Sequence, residues 1–236
     1  MASRAGPRAP GRAKAEPRQV IGKRRAPSRS QARGLVRRKQ LIDAGLELLA
    51  SVPVEELSFR QVCERAGMPE GSGYHFYANK YDLLTALAGT LSQKFIDSLP
   101  NLISNGPPKN WEDLADRVVE NGAEVYRANP AAIQLFLGAR TPPEVKLEDR
   151  TNDRLVSASI REIFDQYFVM PPIRPGHDLF FYFIEITDLM FSLSVLDEGR
   201  ITPEMIEESK QAGKGYLRVY LPPHLSPKVG NEEGKS

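Results

Sequence analysis

From Leu35 onward, apolar residues recur at the three-to-four spacing of an α-helix, and this spacing persists through most of the chain. In the first helix, from about Arg33 to Ser51, Leu41, Gly45 and Leu48 form one row and Ile42, Leu46 and Leu49 the next, giving a broad apolar face. Val52-Pro53 closes it, because the residue before a proline disfavours helix. The second helix has a complete set of boundary signals. Ser58 and Gln61 form a capping box, Phe59, Val62, Cys63 and Ala66 supply the apolar stripe, and Gly67 stands where a left-handed residue ends a helix. A third helix opens at once, with Pro69 suited to its first position and Glu70 to the positive end of its dipole. Its Gly71-Ser72-Gly73 run is poor in helix propensity, so tertiary anchors are required, with Tyr74 and Tyr77 placed for that role. Asn79 caps a fourth helix carrying Leu83, Leu84, Leu87, Leu91 and Phe95, which stops before Pro100. Further helices are predicted near 111–128, 130–140, 150–168, 177–198 and 203–221, separated by Pro107-Pro108, Asn129-Pro130, Pro142-Pro143, Pro171-Pro172 and Gly199. No period-2 run bounded by turn residues occurs, so the fold class is all-α, with about nine helices.

Two short helices joined by a tight Gly-containing turn, and braced by a longer first helix, make a helix-turn-helix. The second of the pair is small and polar enough to enter a major groove. Gly71, Ser72 and Gly73 add little bulk, so the backbone can approach DNA closely. Ser72, Tyr74 and His75 can donate to phosphates or base edges, and Lys80 can clamp a phosphate at the start of the fourth helix. The same geometry also occurs in proteins that never touch nucleic acid, so charge carries weight.

The net charge of +2 over 236 residues conceals an asymmetry. Residues 1–40 hold thirteen Lys and Arg against Glu16 alone, whereas residues 41–236 carry a net −10. Residues 1–32 are Ala, Arg, Pro, Gly and Ser with almost no large apolar side chain, the composition of a disordered arm. A basic arm on an acidic body points to a polyanionic partner. Residues 41–96 hold four basic side chains against seven acidic ones, so the arm supplies most of the counterion release, and its arginines can enter an adjacent minor groove. An Arg-rich, acid-poor N-terminus is also the composition of an organelle transit peptide, and an inert solvated tail is the plain alternative.

The stretch Ser58-Phe59-Arg60-Gln61-Val62-Cys63-Glu64-Arg65-Ala66-Gly67-Met68, then Glu70-Gly71-Ser72-Gly73-Tyr74-His75-Phe76-Tyr77, then Asn79-Lys80-Tyr81-Asp82-Leu83-Leu84, resembles the DNA-binding domain of the TetR family of bacterial transcriptional regulators across residues 37–91. The resemblance implies a homodimer on a palindromic operator, a repressor released by a small-molecule effector. By position it implies that Arg60, Ser72, Tyr74, His75 and Lys80 face DNA, that Gly71 allows close approach, and that Phe59, Val62, Ala66 and Tyr77 are core. Gln61 and Glu70 complete the candidate DNA-binding set. Glu70 repels phosphate but can accept from a cytosine amino group. Pro69, Glu70 and Gly73 depart from the family's usual residues, a cap Ser or Thr, a basic or polar side chain and a large apolar one respectively.

These readings divide the chain into a basic arm (1–32), a helix-turn-helix domain (33–97), a helical effector and dimerisation domain (98–225) and a flexible tail (226–236). The 177–198 segment is apolar nearly all round and needs cover on every side. With the 203–221 helix, where Gly213 and Gly215 permit close approach, it suits a four-helix dimer interface, the alternative being an ordinary monomer core. An effector pocket among helices 111–198 has candidate lining residues Leu135, Phe136, Phe164, Phe168, Tyr182 and Met190, suited to an apolar or aromatic ligand. Glu185 and Asp188 stand on one face of the most apolar helix, either in ion pairs with a neighbouring Arg or serving a cationic or hydroxylated effector. The same two carboxylates argue against a membrane span. One cysteine excludes an internal disulfide and favours a reducing, cytoplasmic setting, and three histidines make a metal site improbable. No catalytic signature, cofactor motif or phosphate loop occurs, so no enzyme activity and no cofactor are expected. The competing readings are a DNA-binding architectural protein without effector control and a small helical enzyme.

Overall fold

The computed structural model describes residues 29–228; most of the basic arm and the last eight residues, where disorder and a flexible tail are expected, lie outside them. The described residues form nine α-helices: α1 (Arg29–Leu49), α2 (Phe59–Arg65), α3 (Glu70–Gly73), α4 (Lys80–Ser98), α5 (Trp111–Ala128), α6 (Pro130–Ala132), α7 (Pro143–Tyr167), α8 (Leu179–Glu198) and α9 (Pro203–Leu217). A 3-10 turn, Leu99–Ile103, extends α4, and a π-helical turn, Ile133–Leu137, extends α6.

The first four helices enclose a small core of Leu41, Leu49, Leu57, Phe59, Val62, Tyr77, Leu83, Leu84 and Leu87. α1 begins at Arg29, four residues before the periodicity predicts, because its first turns carry no apolar stripe to mark them. The Ser58 capping box is present in full: the Gln61 amide donates to Ser58 Oγ at 3.2 Å and the Ser58 amide to Gln61 Oε1 at 2.7 Å. Gly67 takes the left-handed conformation, φ +62°, at the end of α2. Asn79 caps α4 by accepting from the Asp82 amide at 3.0 Å. α1 and α4 meet at Gly45, where a Cβ would sit 2.9 Å from Leu87 Cδ1.

The C-terminal helices pack around α8. α7 lies along both α4 and α8, and α9 along α8 and α5. Two boundaries differ from expectation. α7 starts at Pro143, not near 150, because Pro142-Pro143 opens a helix at its first position instead of separating two. α6 passes into a wider π turn and stops at Leu137. Residues 226–228 are tied down: the Val169 amide donates to the Ser226 carbonyl at 2.8 Å and the Lys228 amide to the Tyr167 carbonyl at 2.9 Å. Gly213 does serve a close approach, but to its own α8, since a Cβ there would lie 2.5 Å from Phe183 Cε2; the space around Gly215 is open. α8 has the length and apolarity of a membrane span, but packs against α7, α9 and the π turn and carries two carboxylates mid-helix.

Candidate nucleic-acid interface and effector cavity

α2, the Gly67–Pro69 turn and α3 place a compact surface beside α1. Arg60 is exposed and pairs with Glu64 one turn on, at 2.8 Å, which with Glu70 raises its already high pKa. Gln61 is exposed, but its amide oxygen is spent on the cap, so it can offer DNA only the donors of its amide nitrogen while the capping box holds. On α3, Gly71 is exposed while Glu70 and Ser72 are half-buried, and His75 in the turn beyond it is exposed. Tyr74 is exposed, stacks on Phe59 with centroids 4.7 Å apart, and donates to Glu70 Oε1 at 3.1 Å. That bond raises the phenol's pKa and occupies Glu70, the acid of α3. Tyr77 is the buried anchor of this segment; Tyr74 is not.

Gly73 differs from expectation. It is buried, and a Cβ there would stand 2.5 Å from Cys63 Sγ and 3.1 Å from Phe59 Cε1, so its missing side chain serves the α2–α3 contact and not the approach to DNA. Gly71 has nothing within 4 Å of a Cβ and remains free for a ligand backbone. Lys80 is half-buried, with Nζ donating to the carbonyls of Val54 (2.9 Å) and Glu55 (3.3 Å), so most of its donor capacity staples the loop before α2. Burial lowers its pKa. Sequence reasoning missed the basic side of α1. Arg33 and Arg37 edge an open groove against Gly67, and the Arg38 guanidinium lies 5.6 Å from the Tyr77 ring centroid, beside α3. The predicted first helix already contained them, but their charge was counted with the arm, whose basic run they continue. Counted from Arg33 to Ile96, the folded unit holds eight basic against seven acidic side chains, no longer a net-acidic ligand for DNA.

A cavity of about 50 Å³ lies between α4, α5, α7, α8 and the π turn, lined by Phe95, Asn121, Tyr126, Phe136, Asp153, Val156, Ile184, Thr187, Asp188 and Phe191 among others. Of the predicted lining residues only Phe136 reaches it. Leu135, Phe164 and Phe168 are core, with Phe164 packed on Phe180 at 4.5 Å. Tyr182 is on the surface with His177 (5.2 Å), and Met190 is half-buried outside the lining. The reason is helical phase: the cavity meets the Ile184, Thr187, Asp188, Phe191 stripe of α8, and residues 182 and 190 fall on other faces. A uniformly apolar helix gives no moment from which that phase could be read.

Glu185 and Asp188 separate in role. Glu185 pairs with Arg150 on α7 at 3.4 Å. Asp188 lines the cavity, with the Tyr126 hydroxyl as its hydrogen-bonding neighbour. Asp149 and Asp153 of α7 complete a cluster that the sequence did not reveal, because its members come from two helices. Burial, reinforced by mutual repulsion, pushes Asp149 up to about 8, Asp153 to about 9 and Asp188 to about 7. Lys146 stands 3.9 Å from Asp149 and also donates to the Phe136 carbonyl, which the π turn leaves available. Among the described residues, no group of three potential ligands is arranged to hold a metal ion.

Comparison with known proteins agrees with this architecture. A family profile described as bacterial regulatory proteins, tetR family, matches residues 41–87, and one described as a tetracyclin repressor-like C-terminal domain matches residues 109–220. The HTH-type transcriptional regulator BetI of Escherichia coli is 26% identical over 132 residues, 54% of this chain and 68% of that protein. A TetR-family transcriptional regulator from Streptomyces coelicolor shares the fold with a TM-score of 0.63 at 21% identity, covering 78% of this chain and 99% of its own. A TetR transcriptional regulator from Rhodococcus sp. RHA1 does so with a TM-score of 0.60 at 13% identity, over 78% and 97%. With both halves matched in order and the helix-turn-helix exposed beside a basic α1, the chain belongs to the TetR family and is a DNA-binding transcriptional regulator.

Proposed function

We propose that the protein is a homodimeric repressor that reads a palindromic operator through α3 and leaves it when a small molecule fills the cavity between α4, α5, α7 and α8. The observation that carries this reading is that α4 serves both units: Leu83, Leu84 and Leu87 build the helix-turn-helix core, while Ser92 and Phe95 of the same helix line the cavity. A ligand that displaces the distal end of α4 therefore bears on the DNA-binding end. A second link supports it, the Arg140–Glu55 ion pair at 2.5 Å, which joins the segment after Phe136 to the loop stapled by Lys80. At the DNA face, Arg60, Ser72, Tyr74 and His75 are the side chains proposed to touch DNA, Gly71 admits the backbone, and Arg33, Arg37 and Arg38 reach phosphates.

The dimer is proposed through α8 and α9. Tyr182, Leu189, Leu193 and Leu196 of α8 are exposed, as are Val219 and Tyr220 just beyond α9. A row of apolar side chains open to solvent marks an interaction surface. Nothing in the site arrangement recommends catalysis, and a reader of DNA works where the DNA is, which is the cytoplasm of a bacterium.

Selection of bound sequences from a random DNA pool, followed by footprinting, tests the reading. A repressor protects a short palindrome whose half-sites lie a whole number of helical turns apart. Protection without sequence preference would establish an architectural protein instead.

A further inference from the structure

Resting on the reading of this cavity as the effector site, we propose that its ligand is a small organic cation, received by Asp153 and Asp188 against the rings of Tyr126, Phe136 and Phe191. The two carboxylates come from different helices and line the same void. Neither forms an ion pair among the described residues; Asp188, enclosed between α5, α7 and α8, has the neutral Tyr126 hydroxyl for company. The nearby cations are committed elsewhere: Lys146 to Asp149 and the Phe136 carbonyl, Arg150 to Glu185. Even so, Glu185 Oε1, which faces Arg150 at 3.4 Å, is buried with no hydrogen bond of its own. Acceptor capacity exceeds what the protein itself satisfies, and ionising a buried carboxyl that has no cationic partner is costly.

The rest of the wall selects the kind of cation. No group of three potential ligands is arranged to hold a metal among the described residues, whereas aromatic faces attract alkylammonium groups. A free volume of about 50 Å³ suits a ligand of few heavy atoms, well below the roughly 300–1,000 Å³ of drug-sized sites. The titratable and charged groups around the site are Tyr126 of α5, Lys146, Asp149, Arg150 and Asp153 of α7, and Glu185 and Asp188 of α8; α4 presents Ser92 and Phe95. In the empty cavity, burial raises the Asp153 carboxyl to about 9 and the Asp188 carboxyl to about 7, so near neutrality Asp153 is largely and Asp188 about half protonated. An arriving cation ionises one of them, and the displaced proton passes to the buffer.

The test is calorimetry on the full chain with tetramethylammonium and piperidinium chloride, beside the uncharged tert-butanol and cyclohexanol. The cations bind, their affinity rises about tenfold between pH 6 and pH 8, and about one proton is released, read from the difference in heat between phosphate and Tris buffers. Asp153→Asn and Asp188→Asn, which replace a protonated acid by its neutral likeness, keep their melting temperature at pH 6 and lose cation binding. Equal binding of the alcohols, a pH-independent affinity, or no binding by either cation overturns the proposal. If the alcohols bind and release operator DNA, the cavity is regulatory and only the ligand class is wrong. If the cations bind and the operator complex persists, the ligand class stands and the regulatory reading of the cavity falls.

Discussion

Gly71 and Gly73 stand two residues apart on α3 and do opposite work. Gly73 lets α3 lie on Cys63 and Phe59, and Gly71 faces open space. Gly73→Ala forces a methyl into the α2–α3 contact and destabilises the domain by about 1–3 kcal/mol, seen as a lower melting temperature. Gly71→Ala leaves melting nearly unchanged and weakens operator binding in a mobility-shift titration. Equal melting losses for both would show that α3 is not seated this way. At the cavity, Asp149, Asp153 and Asp188 have pKa values raised to about 7 to 9 when folded, against about 4 when unfolded. The folded state therefore holds more protons over that window, and its stability falls as pH rises from about 4 to about 9. Thermal melts across that range show the slope, and Asp188→Asn flattens it.

Among the elements, α8 shows most plainly how little composition says about orientation. One of its stripes meets the cavity, another packs on α7 and α9, and a third, with Leu189 and Leu193, remains open. If that open stripe joins two subunits, Leu193→Glu places a charge in an apolar contact and yields monomers in sedimentation analysis, with operator affinity lost in parallel. A Leu193→Glu protein that stays dimeric would move the interface elsewhere. By contrast, α2 was legible to the residue, because its signals are local: a capping box, a short apolar stripe and a left-handed glycine each act within one turn of the chain. The start of α7 was not, because Pro142-Pro143 can either end a helix or begin one, and the choice depends on what Val145 packs against.

At the scale of the molecule, charge and coupling come together. The structure extends α1 back to Arg29 and sets Arg33 and Arg37 beside Gly67 and Arg38 against Tyr77, so the charge of these three belongs with the folded DNA-binding unit. Residues 1–28 still carry eight Lys and Arg against one acid. Removing them, which spares α1, lowers operator affinity and reduces the slope of log affinity against log salt by an amount that counts the phosphates the arm neutralises. An unchanged slope would assign counterion release to α1 and α3 alone. Between the two halves, α4, the Arg140–Glu55 pair and the contact of α1 with α6 are connections through which, in the proposed repressor, occupancy of the cavity would bear on α3.

Helix periodicity, caps and breakers act over a few residues, so the amino-acid sequence alone determined the all-α class, nearly every helix and the place of the helix-turn-helix. The pairing of carboxylates from α7 with one from α8, the phase of α8, the staple made by Lys80 and the inward turn of Gly73 arise from contacts between residues far apart in the chain. Only the tertiary structure decided those, because a side chain's surroundings depend on which helix lies across from it, and no local pattern records that.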